Sequence, residues 1–275
     1  MQEMIDQILV YLRDRTGHDF SGNQSSMIMR RLKARLATVG AASHQDYLDY
    51  LKQDDNELNN LIESLTVNVT QFFRDSLTWE YLNHQLLPGI FAEKAKSNDD
   101  ALRIWSAGCA SGEEAYSAAL LFNEYIEKEK LNTVPMIFAT DINHSMLNFA
   151  RSGIYASPSL SNMKYGILQK YFSPVETKFE ISSEIKSYVS FSKYDMLEQA
   201  THFPSESIYG AFDMVFCRNL LIYFKPEPQE IILEKLYHSL THRGLLILGE
   251  SERPVGKFKG KFQELTNMCR IYRKL

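Results

Sequence analysis

The sequence predicts an α/β protein in which a doubly wound, mostly parallel sheet follows an all-α segment. Three observations carry this reading. Apolar residues recur at i, i+3, i+4 spacing through the first ~85 residues. From Ala101 onward, short strand-like apolar runs alternate with helical ones. The chain has 275 residues, enough to bury a substantial core.

The elements follow in order. Ile5, Ile8, Leu9 and Leu12 share one helical face. "SSMIMRRLKARLATVG" forms a second helix, begun at Ser25 or Ser26 and stopped by Gly40. Ser43 opens a third, "SHQDYLDYLKQ", and "DNELNNLIESL" makes a fourth. "TVNVTQFFRDSLTWEYLNHQLLPGI" is irregular at first and helical from about Asp75. Pro88-Gly89 and the polar "EKAKSNDD" read as a linker. The expected division is a helical domain over 1–85, a linker over 86–100 and an α/β domain over 101–275.

Within the last part, "ALRIWSAG" is a buried-type strand, and a helix runs from about Gly112 to Lys128. "PMIFATDIN" is a strand, and "NHSMLNFARSG" is a helix closed by Gly153. "TKFEISSEIKSYVSFSKYDM" alternates apolar and polar residues and reads as a hairpin leading into another strand. "AFDMVFCRN" is a strand, "PEPQEIILEKLYHSLTHRG" a helix and "LLILGES" a strand. "FQELTNMCRIYRKL" supplies a closing antiparallel pair.

Composition excludes several function classes. A net charge of -4 argues against a nucleic-acid-coating protein, so no nucleic-acid partner is expected. Cys109, Cys217 and Cys269 are odd in number, far apart and without a CxxC pair. They suit neither a disulfide framework nor a zinc site, and a reducing cytoplasmic setting fits them. Glu3 and Asp6 near the start argue against a signal peptide, and no apolar run approaches the ~18 residues of a membrane span.

The informative loop is "IWSAGCASGEEAYS", Ile104 to Ser117. A strand, a small-residue turn and a helix start form an anion site in dinucleotide enzymes. Here the turn is Gly108-Cys109-Ala110-Ser111-Gly112 rather than GxGxxG, and Glu113 and Glu114 occupy the first helical turn. Two carboxylates would repel a pyrophosphate, which argues against a nicotinamide-dependent oxidoreductase. A cationic ligand suits the loop better. S-adenosylmethionine carries a sulfonium and an ammonium and no phosphate. Its backbone can lie against Gly108 while a carboxylate takes the ammonium. Asp141, ending the next strand, stands where open α/β sheets place the acid that binds ribose hydroxyls.

Three segments then share one resemblance. "NVTQFFR" (Asn68 to Arg74), "WSAGCASGEEAYS" (Trp105 to Ser117) and "FCRNLLIYF" (Phe216 to Phe224) resemble the chemotaxis-receptor methyltransferases, the CheR family. "FATDI", "ARSGIY" and "LLILGESE" match in the same order, so the resemblance covers nearly the whole chain. It implies a Rossmann-like class I methyltransferase domain that uses S-adenosylmethionine and releases S-adenosylhomocysteine. A small antiparallel β-subdomain, placed at about 172–190, and an all-α N-terminal domain complete the expected architecture. The implied reaction is methylation of glutamate side chains on the cytoplasmic helices of chemoreceptors.

The resemblance also implies site residues. Asn68, Thr70 and Arg74 match the motif that closes over the cofactor. Glu114 matches the contact to its methionine part, and Asp141 the ribose-binding acid. Arg218 and Asn219 match positions lining the pocket after the fourth strand. Asp195 and Met196 align with the pair flanking the adenine, where the family often has Asn-Leu. From the chemistry of methyl transfer to a carboxylate, Arg74 is the candidate for orienting the acceptor. Tyr223 is the second catalytic candidate, as a hydrogen-bond donor or an aromatic wall near the sulfonium.

One further surface is expected. No acid occurs from Phe20 through Gln45, and Arg30, Arg31, Lys33 and Arg35 lie on the second helix outside its apolar face. The resemblance makes this basic helix the dock for acidic receptor helices. "YFSPVETKFEISSEIKSYVSF" has a short turn and no Gly-rich loop, which favours an enzyme independent of a C-terminal pentapeptide tether. The alternative is a methyltransferase-like protein that binds the same cofactor but acts on another acceptor or serves as a signalling adaptor.

Overall fold

Local sequence signals set most element ends. In the computed structural model, which describes residues 2–66, 70–97, 101–198, 201–204, 207 and 211–275, the chain divides into two compact units. One comprises Met1–Val67 with Tyr223–Gln229, the other Asn68–Ile222 with Glu230–Leu275.

The first unit is helical: α1 (Gln2–Thr16), α2 (Ser25–Val39), α3 (His44–Leu51) and α4 (Asp55–Leu65). Gly40 ends α2 in the left-handed conformation. The Ser43 hydroxyl accepts the Asp46 N–H and so caps α3, and the Asp54 carboxylate caps α4. Ile8, Leu12, Leu32, Leu51 and Leu61, all fully buried, form the core of this unit. Among its segments, Phe224 pairs with Asn23 as an isolated bridge, and Tyr223 packs against the core.

Arg35 is corrected by this packing. It does not join a free basic face. Its Nε donates to Glu57 Oε1 at 3.0 Å, and its Nη2 binds the other carboxylate oxygen. Tyr47 donates to Glu57 Oε1 at 2.7 Å. Burial pushes the Glu57 carboxyl up, but Arg35 and Tyr47 outweigh it and hold it below the usual range. Glu57 is 3% exposed, so this ion pair is a strut of the bundle. Arg30 and Lys33 stay exposed.

The second unit begins with α5 (Ser76–Tyr81), a π-helical turn (Leu82–Leu86) and α6 (Leu87–Ser97). The expected linker over 86–100 is therefore helix up to Ser97, and the expected boundary at 85 falls inside this unit. Residues 98–100 lie outside those described. Trp79, Leu82, Leu87 and Phe91 are buried in the unit's core, and that apolar stripe outweighs the polar "EKAKS" at the helix end. The widened turn, with Leu87 N–H bonded to Leu82 O, lets the helix pass Pro88, which lacks an N–H for the regular bond.

Then follow β1 (Ala101–Ala107), α7 (Glu113–Glu129), β2 (Val134–Asp141), α8 (His144–Ser152), β3 (Ile154–Ala156), α9 (Tyr165–Tyr171), β4 (Phe172–Val175) and β5 (Lys178–Ile181). After these come α10 (Ser183–Ser187), β6 (Val189–Lys193), β7 (Phe212–Cys217), α11 (Pro226–Ser239), β8 (Leu240–Leu248), β9 (Phe262–Glu264) and β10 (Ile271–Lys274). The main sheet runs β6-β2-β1-β7-β8-β10-β9. β1, β2, β6, β7 and β8 are parallel, and β10 and β9 close it antiparallel. Chain order reverses between β1 and β7, which opens a crevice at their carboxyl ends.

The small sheet is β3-β5-β4, so it starts at Ile154 rather than at 172. "SSEIKS", expected as strand, is α10, because the Ser182 hydroxyl accepts the Ile185 N–H and nucleates a turn. "THRG", expected as helix, opens β8 instead, with Arg243 at φ 62° beside a register shift.

The Arg35–Glu57 strut sets a stability prediction. Arg35→Ala, which leaves the buried carboxylate short of its cation, is expected to cost about 2–4 kcal/mol, read by chemical denaturation. An unchanged midpoint would return Arg35 to the surface.

Candidate active site

The cofactor loop is shaped by backbone geometry. Gly108 and Cys109 N–H groups both bond to Thr140 O, at 2.8 and 2.9 Å, which ties the end of β1 to β2. Gly112 caps α7 at φ +91°, and a Cβ there would come within 2.8 Å of the Ala150 Cβ. Only glycine fits.

The two glutamates that open α7 diverge. Glu113 turns inward, accepts from the Ser111 hydroxyl at 2.7 Å and is 3% exposed. Glu114 accepts from the Ser106 hydroxyl at 2.7 Å on one oxygen, while Arg218 Nη1 lies 3.5 Å from the other. Burial raises the Glu114 carboxyl above its usual range, and Arg218 only partly offsets this. A carboxylate so placed gains from a further cation.

Asp141 ends β2 with both oxygens engaged by backbone. Oδ2 accepts the Ala110 N–H at 2.9 Å, and Oδ1 accepts the Asn143 N–H at 2.8 Å. Burial raises this carboxyl, and those N–H groups oppose the rise. Each oxygen keeps lone-pair capacity for a hydroxyl donor. Just past the end of β6, Asp195 Oδ1 accepts the Leu197 N–H at 2.8 Å, which turns that carboxylate toward the backbone. Met196 is buried beside it. The Lys235 ammonium anchors this turn, 3.1 Å from Tyr194 OH and 3.3 Å from Asp195 O.

After β7, Arg218 is buried rather than directed only at a ligand. Its Nη2 donates to Asp75 Oδ2 at 2.7 Å and to Arg74 O at 2.8 Å. The guanidinium lies 5.7 Å from the Trp79 ring. Asn219 adopts φ 59°, and its N–H donates to Glu252 Oε2 at 2.8 Å. Glu252, 3% exposed, also accepts from Gly249 and Ile222 N–H. It is thus the acceptor that shapes the loop after β7.

The motif loop is held by aromatics. Phe72 meets Tyr155 and Phe172 edge-on at 4.8 and 5.6 Å. Trp79 stacks on Phe216 at 5.3 Å and donates to Arg74 O at 2.9 Å. Arg74 and Thr70 are partly exposed. Asn68 lies outside the described residues. The second unit thus brings Arg74, Arg218 and Glu114 into one connected network, and sets Asp141 and Asp195 at the ends of neighbouring strands. Tyr223 belongs to the first unit, where it packs as a partly buried core aromatic.

Sequence reasoning missed Asp75, Ser106, Lys235 and Glu252. Glu252 sits in "LGESE", where nothing local separates it from the exposed Glu250. Among the described residues, no cluster of His, Cys, Asp and Glu could hold a metal, and no helix is long and apolar enough to cross a membrane.

Comparison with known proteins agrees with this geometry. Residues 68–270 match the family described as CheR methyltransferase, SAM binding domain, and residues 3–66 match its all-alpha domain. A chemotaxis protein methyltransferase of Borreliella burgdorferi is 31% identical over 91% of this chain and 88% of its own length. Those of Salmonella typhimurium and Escherichia coli are each 34% identical over 89% of this chain and 81% of theirs. The buried Glu114 carboxylate and the loop without a phosphate cradle fit S-adenosylmethionine as cofactor. The chain therefore belongs to the CheR methyltransferase family and is an S-adenosylmethionine-dependent methyltransferase.

Proposed function

We infer that this enzyme methylates glutamate carboxylates on the cytoplasmic helices of chemoreceptors, giving glutamyl methyl esters. The observation that carries the reading is the buried Glu114, a carboxylate with one oxygen only loosely paired, beside a loop that carries Arg74. S-Adenosylmethionine, when bound, supplies a methyl carbon on a sulfonium and leaves as the neutral thioether. Glu114 would hold its ammonium, Asp141 its ribose hydroxyls, and the backbone at Gly108 and Asn219 its remaining contour. Met196 would flank the adenine. The Asp195 side chain contributes through its own turn, in keeping with its departure from Asn. Thr70 and Asn68 keep their assignment to the cofactor-facing motif on the resemblance.

A glutamate acceptor is ionised near neutral pH, so no strong general base is needed. The chain must hold that carboxylate in line with the methyl carbon and exclude water. Arg74 serves the first need, because a planar guanidinium can orient the carboxylate through one well-placed contact and leave an oxygen free to attack. The carboxylate oxygen forms the new C–O bond as the C–S bond breaks. Tyr223, a partly buried aromatic of the helical unit, keeps its assignment as the second catalytic candidate on the resemblance.

Receptor docking is assigned to Arg30, Lys33 and Arg31 on α2. Arg30 and Lys33 are exposed and Arg31 partly so, and all three keep this assignment on the resemblance. Strand β4 carries Pro174, which lacks an N–H for strand addition, in line with tether independence. A cytoplasmic setting follows from the receptor surface it would act on.

Three outcomes are expected. With labelled cofactor and purified receptor cytoplasmic fragments, wild type should give base-labile label and Arg74→Ala should lose it; stable label, or label only on other acceptors, would defeat the substrate assignment. Glu114→Gln should weaken cofactor binding about 10–100-fold by calorimetry. Arg30→Glu with Lys33→Glu should cut receptor methylation about tenfold at limiting receptor, with cofactor affinity unchanged. Equal methylation by that pair would move the dock elsewhere.

A further inference from the structure

Asp75 follows Arg74 and has no role in the reading above. Its backbone sits in the left-handed region at φ 55°, and Phe73, on the other side of Arg74, does the same at φ 51°. Neither is glycine, so both positions are strained and need to be held. The restraints are specific. Ser117 Oγ accepts the Phe73 N–H at 2.9 Å. Arg218 Nη2 bonds both Arg74 O and Asp75 Oδ2. Trp79 Nε1 reaches the same Arg74 carbonyl from another direction at 2.9 Å. The main chain is thus fastened before, at and after Arg74.

The electrostatics explain why an acid stands at 75. The Arg218 side chain is 2% exposed, and a buried guanidinium needs a close counter-charge. Asp75, at 2.7 Å, is nearer than Glu114, at 3.5 Å, and it draws Nη2 to the end where the Arg74 carbonyl lies. Resting on the assignment of Arg74 to the acceptor carboxylate, we propose that Asp75 is a positioning residue for methyl transfer. Paired with Arg218, it locks the left-handed turn that presents Arg74 to the acceptor. A misplacement of about 1 Å at such a group can cost on the order of a hundredfold in rate.

The test measures methyl transfer to receptor fragments at saturating cofactor, cofactor binding by calorimetry, and thermal melting. Asp75→Asn is expected to lower kcat about 10–100-fold while cofactor Kd stays within about threefold. Asp75→Glu should restore most of the rate. Trp79→Phe, which removes the second donor to the Arg74 carbonyl but keeps an aromatic ring, should lower kcat in the same direction. The proposal is overturned if Asp75→Asn leaves kcat unchanged. It is also overturned if cofactor affinity falls as far as kcat does, or if Asp75→Glu melts like wild type yet fails to recover. Arg74→Ala separates the two levels: full activity in that variant would sink the Arg74 assignment itself, and the role of Asp75 with it.

Discussion

A guanidinium buried to 2% exposure at the end of a central strand is costly unless counter-charge stands close to it, and Arg218 organises its surroundings. Asp75 neutralises one end, Glu114 faces the other, and the Trp79 ring covers its face. Trp79 in turn stacks on Phe216 of the strand that delivers Arg218. The motif loop and the start of α7 are thereby tied to a single cation.

The same economy recurs with carboxylates in this unit. Glu252 gathers the N–H groups of Asn219, Ile222 and Gly249, and its burial raises its carboxyl while those donors oppose the rise. Asp141 does so for Ala110 and Asn143. Each carboxylate satisfies backbone donors that a sheet or helix cannot reach at a topological switch point. The loops are then rigid without regular structure, as a site that must align two reactants requires. Asp141 and Glu252 thus serve as backbone acceptors at the rim of the crevice, while the second oxygen of Glu114 lies 3.5 Å from Arg218.

In the helical unit, charge serves a different end. Arg35 lies in a run of basic residues that a helical wheel places on one surface. Glu57 on α4 and Tyr47 on α3 draw it into the bundle instead. Arg30 and Lys33 face solvent, so the surface left for a partner is smaller than the run suggests.

By itself the sequence determined the order and type of most elements, because periodicity, caps and glycines act over a few residues. It also determined the character of the cofactor loop, since Gly112 and two glutamates at a helix start reject a phosphate ligand. Element ends were lost where packing overrode local signals. A buried stripe from Trp79 to Phe91 carried a helix through Pro88-Gly89, and a serine cap made "SSEIKS" helical. Only the tertiary structure turned Glu113 inward onto Ser111, made Arg35 a strut and joined Asp75 to Arg218 across 143 positions. Such contacts depend on which groups meet after the sheet closes and on how far water is excluded there, and neither is encoded in the spacing of neighbours along the chain.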